Sequence, residues 1–123
     1  MYNKKESTED YLEGILVATN EQGPIRAIDL AKFMKFSKAS VSIALKKLIA
    51  SNYILVDKAT GIITLTEEGL VIAEETFEKH QVLTKAFMKL GVDEKHASED
   101  ACKIEHLLSP ETYAAIKKHF NEK

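Results

Sequence analysis

The sequence predicts a mainly α chain with one small two-stranded ribbon, and three observations carry that expectation. Two short apolar-periodic segments, near 27–34 and 38–51, follow one another across a tight turn. Two β-prone runs come next, and a long amphipathic segment opens at Thr66. Together they describe a winged helix-turn-helix unit over residues 1–66 and a helical unit over 67–123 whose long first helix suggests dimerisation.

The elements follow in order. Ser7 is a helix N-cap with Asp10 three residues on, and Glu9 and Asp10 suit the positive end of the helix dipole. Tyr11, Leu12, Ile15 and Leu16 give the helical period, and the stretch from Asn20 to Pro24 stops it. A short helix follows from about Ala27 to Met34, then the turn Lys35-Phe36, then a helix capped by Ser37 with Val41, Leu45 and Leu48 facing inward. Tyr53 to Val56 and Ile62 to Leu65 are the two strands, and Gly61 supplies positive φ between them. Thr66 caps a helix running to about Leu90, where Gly91 breaks it. Either Asp93 or Asp100 starts the next, which is expected to reach Leu108. Ser109 and Pro110 open the last helix.

Composition narrows the class. The chain has 123 residues, 45% of them hydrophobic, enough for one domain or two small packed units. Its apolar runs fall far below the roughly 20 residues that a membrane helix needs, and no apolar stretch follows Met1-Tyr2-Asn3-Lys4-Lys5-Glu6 as in a secretion signal. No membrane partner and a cytoplasmic location are the expectation. A single cysteine excludes an internal disulfide.

The formal net charge of −2 conceals an uneven distribution. Residues 1–25 set Lys4 and Lys5 against five acidic side chains. Residues 26–61 set Arg26, Lys32, Lys35, Lys38, Lys46, Lys47 and Lys58 against only Asp29 and Asp57. The cationic segment coincides with the helix-turn-helix and wing, as a phosphate-contacting module requires.

Two runs carry metal-ligand chemistry. Asp10 and Glu13 lie three apart on the first helix, and Cys102, Glu105 and His106 lie three and four apart near the chain's end, spacings that share one helical face. His80 stands alone on the long helix. Each also has an ordinary reading: dipole-stabilising carboxylates, a buried thiol, solvated surface pairs. Spacing does not establish that the helices meet. His96 and His119 lie outside both clusters. No HExxH motif, phosphate loop or nucleophile elbow is present, so an enzyme is not expected.

Order and register add a further argument. Ser7 to Ile15 (STEDYLEGI), Arg26 to Ala31 (RAIDLA), Ser40-Val41-Ser42, Leu65 to Gly69 (LTEEG), Lys79-His80, Gly91-Val92-Asp93 and Ile104 to Ser109 (IEHLLS) resemble the metal-dependent repressors of the diphtheria toxin repressor and manganese transport regulator family. The resemblance spans nearly the whole chain. It implies a winged helix followed by a helical dimerisation domain, without the SH3-like third domain of the iron branch. It also implies a repressor of metal-ion homeostasis, a homodimer on double-stranded operator DNA, activated by Fe(II) or Mn(II) with one or two ions per chain. The ligands it implies are Asp10, Glu13, His80, Cys102, Glu105 and His106. Cys102 stands where the manganese branch typically has Glu, and Asp10 where the iron branch usually has Met. Thr84 and Ser98 occupy positions where the iron branch has Glu and His. Asp10 is a hard ligand suited to manganese, and a thiolate at Cys102 favours softer ions.

In this reading, metal neutralises like charges on the first helix and on the helix bearing Cys102, so that the two clamp together. The clamp would fix the recognition helices of a dimer at about the 34 Å spacing of successive major grooves. Ser37, Lys38, Ala39, Ser40 and Ser42 are the candidate base-facing residues, and Arg26, Lys46, Lys47 and Lys58 the phosphate contacts. Ala39 suits a thymine methyl. The alternative is a winged-helix regulator indifferent to metal, with Cys102 structural or redox-sensing.

Overall fold

The computed structural model describes residues 7–121; Lys4, Lys5 and Glu6 of the N-terminal charge count lie outside them. Six helices and one ribbon run in the order α1 (Thr8–Gln22), α2 (Ala27–Met34), α3 (Lys38–Ala50), β1 (Ile54–Val56), β2 (Ile63–Leu65), α4 (Glu67–Lys89), α5 (Glu94–Ile104), α6 (Pro110–Asn121). The chain divides into two compact units between Glu75 and Thr76.

Local chemistry accounts for most boundaries in the first unit. The Ser7 side chain accepts the Asp10 amide at 3.1 Å and starts α1, which ends at Gly23 with φ of 83°. Asp29 caps α2 by accepting the Arg26 amide at 2.9 Å, and Lys35 closes it in the left-handed region. Ser37 caps α3 through the Ser40 amide. At its far end Asn52 takes φ of 64°, and the Tyr53 amide reaches back to the Leu48 carbonyl, a closure that asparagine tolerates better than other side chains.

The strands pair antiparallel, Ile54 with Leu65 and Val56 with Ile63. Each is one residue shorter than the sequence suggests: β1 starts at Ile54 because the Tyr53 amide is committed to α3, and β2 starts at Ile63. Asp57 organises the wing tip: its Oδ1 accepts the amides of Ala59 and Thr60, which holds its carboxyl below the usual range. Ile54 and Ile63 point into a core with Tyr11, Leu12, Ile15, Leu30, Met34, Val41 and Leu48, all nearly inaccessible. α4 begins where Thr66 Oγ1 accepts the Gly69 amide at 3.1 Å.

The second unit contains the rest of α4, α5 and α6. Val82, Leu83 and Ala86 of α4 and Ala97 and Ala101 of α5 are its buried apolar side chains. Asp93, not Asp100, caps α5 through the His96 amide at 3.1 Å. Against expectation α5 does not reach Leu108. Regular helix ends at Ile104, and residues 105–108 form a turn in which the amides of Leu107 and Leu108 both crowd onto the Ile104 carbonyl. α6 is tied to α4 through Glu78, which accepts from Lys117 Nζ at 3.1 Å and Tyr113 Oη at 3.4 Å. Burial, together with the nearby Glu78 carboxylate, pushes the Tyr113 hydroxyl up to about 12. Of the apolar residues on α4, Leu70, Val71 and Met88 are exposed rather than core. Among the described residues no helix is long and apolar enough to cross a membrane.

Candidate metal centre and nucleic-acid interface

In the second unit His80 projects from the middle of α4, Cys102 from the last turn of α5, and Glu105 and His106 from the turn that follows. The Glu105 amide still bonds to the Ala101 carbonyl at 3.0 Å with helical φ and ψ, so Glu105 keeps the helical register with Cys102 although regular helix has ended. Glu105 is the hub. Its Oε1 lies 3.2 Å from His80 Nδ1 and its Oε2 lies 3.6 Å from His106 Nε2, while its side chain is fully buried. Cys102 Sγ approaches the same His80 Nδ1 at 3.5 Å.

Ligand atoms of His80, Cys102 and Glu105 all lie within 4.8 Å of one another. Donors bound at 2.0–2.5 Å to a common ion are at most about 5 Å apart, so this nitrogen, sulfur and oxygen set fits one divalent transition metal. Such an ion would supply positive charge to the buried Glu105 carboxylate beside the half-buried Cys102 sulfur. The other face of His80 is also held. Its Nε2 lies 3.2 Å from Ser98 Oγ, leaving Nδ1 directed at Glu105 and Cys102. Thr84 Oγ1 donates to the His80 carbonyl at 2.7 Å. In the sequence Ser98 stands only as a departure from the iron branch. The signal that could have found it is its place four residues before Cys102, one turn back on the same face of α5.

Asp10 and Glu13 lie in the first unit, three apart on α1, with 1% and 0% of their surface exposed. Two buried carboxylates in adjacent turns are costly unless neutralised or hydrogen-bonded.

The candidate DNA-contacting residues lie on α2, α3 and the wing of the first unit. Lys38, Ala39, Ser42, Lys46 and Lys47 are exposed on α3, Arg26 is exposed at the start of α2, and Lys58 is exposed at the wing tip. Arg26 and the wing are neighbours, since its side-chain stem runs beside Gly61. Ser37 and Ser40 are also engaged with each other: Ser37 Oγ accepts the Ser40 amide and donates to Ser40 Oγ at 3.0 Å.

A winged helix-turn-helix followed by a helical unit carrying imidazole, thiol and carboxylate in one cluster defines a class, the metal-responsive DNA-binding regulators. Comparison with known proteins agrees. Residues 5–62 match the iron-dependent repressor N-terminal DNA-binding domain, and residues 66–122 match the iron-dependent repressor metal-binding and dimerisation domain. The chain is 41% identical over 115 residues to an HTH-type transcriptional regulator of Methanocaldococcus jannaschii, covering 91% of this chain and 90% of that one. It is 33% identical over 103 residues to the HTH-type transcriptional regulator MntR of Shouchella clausii, covering 84% and 71%. Among solved structures, the manganese regulator SloR superposes with a TM-score of 0.82 at 27% identity, over all of this chain and 56% of the other. The metal-dependent transcriptional regulator MtsR gives 0.83 at 25% identity, over 95% and 54%, so this chain spans about half the length of these solved chains. The chain belongs to the iron-dependent repressor family: a metal-responsive transcriptional repressor with DNA-binding and dimerisation domains that binds divalent metal, and not an enzyme.

Proposed function

We propose that this protein represses genes of metal-ion homeostasis in the cytoplasm by binding double-stranded operator DNA as a homodimer when loaded with Fe(II) or Mn(II), one or two ions per chain. Residues 1–66 are the DNA-binding part and 67–123 the metal-binding and dimerisation part. The observation that carries this reading is Glu105, a fully buried carboxylate whose two oxygens meet two imidazoles, with the Cys102 sulfur on one of the same nitrogens. Such a group is stable when its charge is balanced, and a divalent ion balances it with three donors, His80, Cys102 and Glu105, already gathered on two neighbouring segments.

The proposed ligands are His80, Cys102, Glu105 and His106, with Asp10 and Glu13 added on the strength of the sequence pattern and their burial. Cys102 draws the site toward Fe(II) and Asp10 toward Mn(II). The proposed DNA contacts are Ser37, Lys38, Ala39, Ser40 and Ser42 toward the bases and Arg26, Lys46, Lys47 and Lys58 toward phosphates. Metal acts by shifting the population toward the DNA-competent state, which it can do only by binding that state more tightly.

The test measures duplex affinity at matched free Mn(II), Fe(II) and Zn(II), and again with chelator. The reading expects at least tenfold tighter binding with the activating metal. Equal affinity with and without chelator would leave a winged-helix regulator indifferent to metal.

A further inference from the structure

Within the second unit α6 is the least embedded helix, since none of residues 110–120 is buried. Its polar ties run to α4. Glu78 accepts from Lys117 Nζ at 3.1 Å and Tyr113 Oη at 3.4 Å, Lys79 Nζ stands 5.8 Å from the centre of the Tyr113 ring, and Lys89 Nζ donates to the Phe120 carbonyl at 2.7 Å. Contacts between side chains this exposed add little in water, so α6 belongs to the low-stability end of the fold, where local opening precedes global unfolding. The connection into α6 is the second weak point. Residues 105–108 lie outside regular helix, and Leu107 is 79% exposed, more than any other large apolar side chain among the described residues. Upstream of it the chain is anchored by Glu105, whose buried carboxylate meets His80 and His106.

We propose that the Leu107–Leu108 bond is a cleavage site for an endoprotease that accepts an apolar residue before the scissile bond, open in the metal-free chain and closed by metal. A protease takes its substrate extended, with several residues on each side of the bond, so an exposed turn alone does not suffice. Here α6 supplies the missing length: once it leaves α4, the residues after Leu108 can extend. Upstream, metal decides. With His80, Cys102 and Glu105 closed on one ion, the residues before Leu107 cannot be drawn out of the unit. Hydrolysis adds water across the amide, leaves a carboxylate on Leu107 and an amine on Leu108, and separates α6 from the chain. Regulator without metal is thereby removed and regulator with metal retained. The inference rests on the metal-binding role proposed above.

The experiment treats the full chain with chymotrypsin, which needs no transition metal and cuts after leucine, at single-cut ratios, and identifies the fragments by mass. In the metal-free chain the first cut is expected after Leu107. An ion that binds only the closed state lowers the open population in proportion to its free concentration over Kd. Free Mn(II) at about 100 times the Kd found by equilibrium dialysis should therefore slow that cut about 100-fold. Glu78→Gln loosens α6 without altering a metal donor, and should speed the metal-free cut about threefold, the range of an exposed ion pair, with Mn(II) affinity unchanged. Leu107→Asp, at an exposed position, should fold normally by circular dichroism and resist cutting there. About 1 M urea should change the wild-type rate by less than about twofold, whereas cutting through global unfolding would rise at least about fivefold. A first cut elsewhere, a rate indifferent to bound Mn(II) or to Glu78→Gln, or the steep urea response would each overturn the inference while leaving the repressor reading standing. Dialysis that found neither Mn(II) nor Fe(II) bound would sink the proposed function, and this inference with it.

Discussion

Two atoms of one ring set the character of the proposed metal centre. His80 Nδ1 faces Glu105 and Cys102, and Nε2 faces Ser98 Oγ, so the serine can accept Nε2–H and leave the Nδ1 lone pair for a metal. Partners of this kind usually change metal affinity about 10- to 100-fold. Ser98→Ala is therefore expected to weaken Mn(II) or Co(II) binding by about tenfold in chelator competition, with Ser98→Thr restoring most of the loss. The ligand-field spectrum of the Co(II) form should shift in the alanine variant and recover in the threonine one. If Ser98→Ala bound metal as wild type does, the serine would be only a neighbour. The selectivity proposed for Cys102 is tested separately. Cys102→Glu exchanges a soft donor for a hard one and should raise the preference for Mn(II) over Zn(II) at matched free concentrations. An unchanged preference would remove selectivity from that position.

At the scale of the helix, α4 depends on a glycine at its first turn. A Cβ added at Gly69 would fall on the backbone carbonyl oxygen of Tyr53, the same oxygen that accepts the Thr66 amide at 3.0 Å. Alanine gains about 1 kcal/mol in helix propensity over glycine. Here a backbone atom, which cannot rotate aside, opposes it, and overpacking of this kind costs about 1–3 kcal/mol and occasionally more. The clash should win, so Gly69→Ala is expected to lower the urea midpoint. Gly14→Ala is the control, because its added Cβ meets the flexible end of Met34 and should be tolerated with little loss. A Gly69→Ala chain as stable as wild type would show that the start of α4 can slide. The same comparison explains what was legible beforehand. Ser7, Ser37 and Thr66 announce their helices because each cap is a contact three residues long, while the sequence leaves the start of α5 open between Asp93 and Asp100 and the fold selects Asp93. The end of α5 at Ile104, the left-handed Asn52 and the Ser98–His80 contact were not legible, since the first two turn on backbone geometry without a strong residue signal and the last joins segments 18 residues apart. Cys102, Glu105 and His106 were readable as donors from spacing, but only the folded second unit brings His80 to them.

For the whole molecule, DNA affinity and metal control are expected to separate experimentally, because they rest on different physics. The net charge of −2 would oppose duplex binding, yet seven of the 17 basic residues fall within residues 26–61. Each lysine that neutralises a phosphate releases a counterion and adds about 0.9 to the slope of log affinity against log salt. Lys46→Ala and Lys47→Ala should therefore each flatten that slope by about one, weakening binding to all sequences alike. Cys102→Ala acts elsewhere. It lowers the fraction of chains in the competent state at a given free metal, and apparent affinity falls in proportion to that fraction. Its salt plot should be displaced from wild type but parallel to it, and raising free Mn(II) should close the gap, whereas no amount of metal should restore the slope of the lysine variants. The measurement is a set of duplex titrations at four salt concentrations and two metal concentrations. If Cys102→Ala changed the slope, metal would be reshaping the phosphate contacts themselves rather than selecting a state that already makes them.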